Sequence, residues 1–97
     1  MTFSTQRRVE FCDTDMAGIA HFTAFFPMME AAEHEMLRSL GLSVMPDRHS
    51  GQTDLVTWPR IAAACNYVSA ARFEDILRIE VSVAKMGTTS VQYRFRF

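Results

Sequence analysis

Ninety-seven residues, 48% of them apolar and 22% charged, are enough for one domain and no more. Ten basic against 11 acidic side chains leave a formal charge of −1, which argues against a nucleic-acid partner, and eight phenylalanines argue against disorder. A fold of this size buries only about 60–65% of its unfolded surface, so association with a partner is expected.

No stretch approaches roughly 18 uninterrupted apolar residues, which argues against a membrane-spanning helix. The start, Met1-Thr2-Phe3-Ser4-Thr5-Gln6-Arg7-Arg8, has no apolar signal core. Cys12 and Cys65 allow at most one disulfide, and reduced thiols in a cytoplasmic protein are the simpler reading.

In chain order, the alternation at Val9-Glu10-Phe11 predicts a short strand over roughly 6–12. Asp13-Thr14-Asp15-Met16-Ala17-Gly18 follows as a turn. A helix is predicted from about Thr23 to Leu40, with Thr23 as N-cap, Pro27 tolerated near the first turn and Gly41 as the stop. On a helical wheel Phe22, Phe25, Phe26, Met29, Ala32, Met36, Leu37 and Leu40 form one apolar stripe. Glu33 is the misfit inside that stripe, and Glu30 stands at its margin. Breakers across Met45–Gly51 predict a mobile loop.

Three extended segments complete the chain: Leu55–Val68, interrupted by Pro59, then the alternating runs Leu77–Ala84 and Val91–Phe97, joined by a hairpin at Lys85–Thr89. Strand, long helix, then three strands reads as a single α+β domain over residues 1–97, an antiparallel sheet packed on one helix. The last strand leaves an unpaired edge, from which a C-terminally truncated version of a longer protein is expected.

Asp13 and Asp15 stand two apart just ahead of an apolar helix. A carboxylate there can act as general base or nucleophile while free N–H groups at the helix start polarise a carbonyl, a pairing that suits acyl transfer. The plainer reading is that both side chains bond turn amides. His21 can relay a proton or orient water, or simply be hydrogen-bonded in its loop. Asp13, Asp15 and His21 match no compact metal motif, and no metal or redox cofactor is implied.

Glu33 reads as a buried carboxylate, as a rim residue, or as the mate of an arginine from another chain. Cys12 reads as an inert, buried thiol, and Cys65 as a packing residue. Gly87-Thr88-Thr89-Ser90 offers amides and hydroxyls to an anion without any nucleotide-binding glycine pattern. Trp58 lines a pocket or anchors an interface.

The run Glu10-Phe11-Cys12-Asp13-Thr14-Asp15-Met16-Ala17-Gly18-Ile19-Ala20-His21-Phe22 resembles the Asp-Thr-Asp-x-x-Gly-Ile-Val-His signature of hotdog-fold acyl-CoA thioesterases, the 4-hydroxybenzoyl-CoA thioesterase-like family. The likeness continues at Met29-Glu30, Glu35–Leu42, Trp58-Pro59-Arg60, Arg72–Glu80 and Lys85-Met86-Gly87 with Ser90. It implies a sheet wrapped around one long helix, two units sharing a continuous sheet, and active sites at the dimer interface. By the same resemblance Asp15 is the catalytic carboxylate and the backbone N–H near Phe22 polarises the thioester carbonyl. Family chains run on through one further strand, and some carry basic residues for coenzyme A phosphates where this chain has Gly87-Thr88-Thr89.

The expectation is therefore an acyl-CoA thioesterase, a homodimer or homotetramer, with Asp15, His21 and the Phe22 amide as catalytic groups. Gly18, Phe25, Trp58, Thr89 and Ser90, with Phe22, are expected to meet the substrate. The rival is a non-catalytic hotdog module that binds an acyl thioester or serves dimerisation. An acyl dehydratase on the same fold is a third and weaker fit, since it would need a His–acid pair aimed at the substrate's β-carbon.

Overall fold

The computed structural model describes residues 2–44 and 58–97. Strand β1 covers Thr2–Arg8, helix α1 Phe25–Ser39, β2 Ile76–Met86 and β3 Val91–Arg96. The three strands form one antiparallel sheet in the order β1-β2-β3. β1 lies against β2 with Thr2 opposite Ser82 and Arg8 opposite Ile76, and β3 covers the other edge with Met86 opposite Val91.

Alternation decides which face of the sheet meets the helix. Ile79 and Val81 of β2 are buried, and with Val9, Phe25, Met28, Ala32 and Met36 they make the core. Burial of each such large side chain contributes about 1.5–3 kcal/mol. The register shifts between Val83 and Lys85, so the alternation breaks beyond Val83, which is itself 47% exposed.

Helix α1 ends as its sequence requires. Gly41 takes φ +75°, its N–H donates to Arg38 O at 3.0 Å, and Leu42 N–H donates to Leu37 O at 2.8 Å. This is the Schellman arrangement, which needs a residue at ease in the left-handed region.

Four expectations are corrected. The first strand lies at Thr2–Arg8, and Phe11–Asp13 is a 3-10 turn, because β1 takes its length from pairing with β2 rather than from the brief alternation at 9–11. The wheel omitted Met28, which is fully buried, and included Phe22 and Leu40, which are 60% and 49% exposed, because these two lie beyond the ends of α1, in the 3-10 turn before it and at its C-cap. Cys12 is exposed, not buried, and both cysteines are free.

Finally, residues 58–68 form no strand; 55–57, like the loop Met45–Gly51, lie outside the described residues. Pro59 lacks a ladder donor. Beyond it, residues 64–69 and residues 92–97 line a common cleft of about 760 Å³ and no ladder joins them.

What holds 58–68 is the helix. Arg60 Nη2 lies 2.7 Å from Glu33 Oε2, and Tyr67 Oη donates to Phe22 O at 2.7 Å. The segment thus runs antiparallel to α1, clipped near both ends. Glu33 is neither on the rim nor waiting for another chain: its side chain is 7% exposed and paired within its own chain.

Candidate active site

The Asp13–Asp15 stretch folds back on residues 19–21 as a tight two-stranded ribbon. His21 N–H donates to Asp13 O at 2.7 Å, Thr14 bridges Ala20, and Asp15 N–H donates to Ile19 O at 3.0 Å. At its tip Gly18 N–H donates to Asp15 O at 3.0 Å, with Gly18 at φ +76°. Glycine is needed there for its backbone, since open space surrounds the position of a Cβ. Ala20 N–H donates to Ala71 O, and Ile19 bridges Arg72, so the ribbon is sewn to the approach to β2.

The two aspartates have different work. Asp13 Oδ2 accepts the Glu10 N–H at 2.8 Å, and the Asp13 N–H returns to Glu10 O at 3.0 Å, so Asp13 closes the 3-10 turn. Asp15 Oδ1 accepts the Ala17 N–H at 2.8 Å, while Oδ2 has no partner among the described residues. One oxygen orients this exposed carboxylate and the other is free to react.

His21 is the cap that the sequence assigned to Thr23. Its Nδ1 accepts the Thr23 N–H at 3.2 Å and lies 2.8 Å from Thr23 Oγ1, at the head of a 3-10 turn over Phe22–Ala24 that leads into α1. The ring supplies the acceptor that a short N-cap side chain usually provides. Ala24 N–H donates to His21 O at 2.9 Å. The Phe22 N–H, first in the turn, has no acceptor among the described residues, as expected at a helix start.

The expected site residues fall into two groups. Asp15, Gly18, His21, Phe22 and Phe25 gather where the ribbon enters the helix. Trp58 shares a cavity of about 250 Å³ with Leu37, Leu42, Met86 and Val91, at the far end of α1. Thr89 and Ser90 stand at that same end, in the β2–β3 turn closed by Gly87 N–H to Ser90 O at 2.8 Å. Within one chain, the 15 residues of α1 lie between the Asp15 group and Trp58, and the 11 residues of β2 lie between the start of that strand and the turn that carries Thr89 and Ser90.

Around Asp15 the surface is apolar: Met16 is fully exposed, Phe11 78% and Phe22 60%. Among the described residues no three His, Cys, Asp or Glu side chains gather as metal ligands, and no helix is long and apolar enough to cross a membrane.

Sequence reasoning missed Tyr67. Nothing local points to it, because its partner Phe22 lies 45 positions away in the chain.

One long helix against an antiparallel sheet, entered through an Asp-containing ribbon, defines a hotdog fold. Residues 17–97 match the model of the thioesterase superfamily, and the chain belongs to that family. It is 31% identical over 96 residues to a 1,4-dihydroxy-2-naphthoyl-CoA hydrolase of Prochlorococcus marinus, covering 95% of this chain and 64% of the relative. It is 28% identical over 94 residues to the 4-hydroxybenzoyl-CoA thioesterase of Pseudomonas sp., covering 96% of this chain and 65% of that protein. The solved structure of that Pseudomonas enzyme superposes with a TM-score of 0.82 at 25% identity, over 97% of this chain and 67% of that one. This chain therefore spans about two thirds of the length of these relatives.

Proposed function

We propose that this chain hydrolyses a CoA thioester to a carboxylate and free coenzyme A. The observation that carries the reading is the placement of Asp15. It is an exposed carboxylate with one oxygen fixed by the Ala17 N–H, on a ribbon leading directly to a helix start where the Phe22 N–H is uncommitted among the described residues.

Acting as general base, Asp15 takes a proton from water as the hydroxide equivalent adds to the thioester carbonyl carbon. The carbonyl oxygen becomes an oxyanion beside the Phe22 N–H and the positive end of the α1 dipole. Collapse breaks the C–S bond, and the leaving thiolate recovers the proton from Asp15. As nucleophile, Asp15 would instead form a mixed anhydride that water then cleaves. His21, with Nδ1 engaged by Thr23, shapes the turn.

The aryl-CoA names of the relatives, with Phe22 and Phe25 beside the proposed oxyanion site, favour an aromatic acyl group. The separation of the two groups of site residues within one chain, and the exposed apolar side chains Met16, Phe11 and Phe22, favour a homodimer or homotetramer. In such an assembly Trp58, Thr89 and Ser90 of one copy serve the Asp15 of another. The free thiols suit the cytoplasm.

The test is free-thiol release from a panel of acyl- and aryl-CoA esters by the wild-type chain and by Asp15→Asn, with circular dichroism to check the fold. Turnover lost by about 100-fold or more in a folded variant is expected; near-normal turnover would remove Asp15 from the reaction. One observation favours a second reading, a binding module without catalysis: neither cavity described above includes Asp15. Saturable aryl-CoA binding by folded wild-type protein that releases no thiol would select it.

A further inference from the structure

The turn that carries the Phe22 N–H is held at three points. Asp13 O receives the His21 N–H at 2.7 Å, His21 Nδ1 receives the Thr23 N–H at 3.2 Å, and Phe22 O receives the Tyr67 hydroxyl at 2.7 Å. The first two lie within the same short stretch of chain. Among the described residues Tyr67 alone bonds to the turn from across the fold, and its ring is itself packed. Its ring packs edge-on against Phe25, with centroids 5.6 Å apart, and its segment is fastened to the helix again through Arg60 and Glu33.

We propose that Tyr67 is a positioning residue: by holding the Phe22 carbonyl, in the peptide that follows the one carrying the Phe22 N–H, it anchors the turn from which that N–H meets the thioester oxyanion. This role rests on the hydrolytic reading above. The chemistry suits a permanent donor, because desolvation of the phenol, followed by its contact with Cys65, pushes its pKa above 10.0. Tyr67 therefore keeps its proton wherever the enzyme would work. A purely structural bond is a poorer account. Phe22 is 60% exposed, so water can replace the phenol at its carbonyl with little loss of stability. Water cannot tie the turn to a distant element of the fold, and an oxyanion donor acts through its alignment.

The experiment is Tyr67→Phe in the full chain, which keeps the ring against Phe25 and removes only the hydroxyl. A fall of about ten-fold in kcat is expected, with KM unchanged and the melting temperature held, the pattern of an interaction made only in the transition state. The Phe22 amide resonance should also shift in a ¹⁵N–¹H spectrum. Turnover within about two-fold of wild type, or a rise in KM alone, overturns the role of Tyr67 and leaves Asp15 chemistry standing. Wild-type protein that releases no thiol overturns the hydrolytic reading and the role of Tyr67 with it, whereas an Asp15→Asn variant that keeps its turnover overturns only the role of Asp15.

Discussion

Arg60 Nη2 lies 2.7 Å from Glu33 Oε2, and this pair turns an acidic misfit in the apolar stripe of α1 into the clip for residues 58–68. The two members are unequally placed: the Glu33 side chain is 7% exposed and that of Arg60 44%.

Removing the two partners should therefore have unequal effects. Arg60→Ala leaves a buried carboxylate without its cation and is expected to lower stability by about 3 kcal/mol. Glu33→Leu releases Arg60 to water and extends the apolar stripe, so stability should stay within about 1 kcal/mol of wild type. Urea unfolding of both variants measures the contrast. Equal losses would show that the pair has no buried, asymmetric character.

His21 should be replaceable as a cap. His21→Ala removes the acceptor for the Thr23 N–H and is expected to cost about 1 kcal/mol. His21→Asn, with a short side chain favoured at N-caps, should recover most of that loss. If capping is the ring's only duty, thiol release by His21→Asn stays near wild type. A folded His21→Asn protein without turnover would instead make the imidazole a proton carrier.

Tyr93 predicts the alkaline limit of the fold. Burial, and then the nearby Glu33 carboxylate, raise its pKa above 10.0, with Arg60 opposing. The folded state thus keeps a proton that the unfolded chain releases from about pH 10 upward. Unfolding then gains free energy as pH rises, so stability is full below pH 10 and declines above it. Tyr93→Phe should flatten that decline in thermal melts between about pH 9 and 11. An unchanged slope would show that Tyr93 does not contribute to it.

Glu74 carries a backbone conformation that its side chain disfavours, at φ +71°. It is held there by its N–H to Val9 O at 2.9 Å and by the neighbouring bond from Arg72 N–H to Asp75 Oδ2 at 2.9 Å. Left-handed geometry costs a non-glycine residue about 1–2 kcal/mol, part of which glycine returns as extra freedom in the unfolded chain. Glu74→Gly should therefore stabilise the protein by a few tenths to about 1 kcal/mol in urea unfolding. A loss of stability would mean that the glutamate side chain makes a contact that outweighs the strain.

Much of the architecture was decided locally and was legible in the residues. The alternation of Leu77, Ile79 and Val81 specified β2 and its buried face, Gly41 specified the end of α1, and Asp13 to Gly18 specified the ribbon that carries Asp15. These features depend on side-chain period and turn chemistry acting over a few residues. The misfit angle of Glu33 was also legible, though its partner was not.

Tertiary structure decided what depends on distant partners. Arg60 finds Glu33 27 positions away, and Tyr67 finds Phe22 across 45. Residues 58–68 have an extended-looking sequence but no ladder, because a strand is made by its neighbours and here a cleft takes their place. Trp58 and Ser90 read as companions of Asp15, yet packing beside Leu37 and Leu42 places Trp58, and the length of β2 places Ser90, at the other end of the helix. Composition and period specify elements, whereas the separation of chemical groups in space is set by how long those elements are and what they pack against.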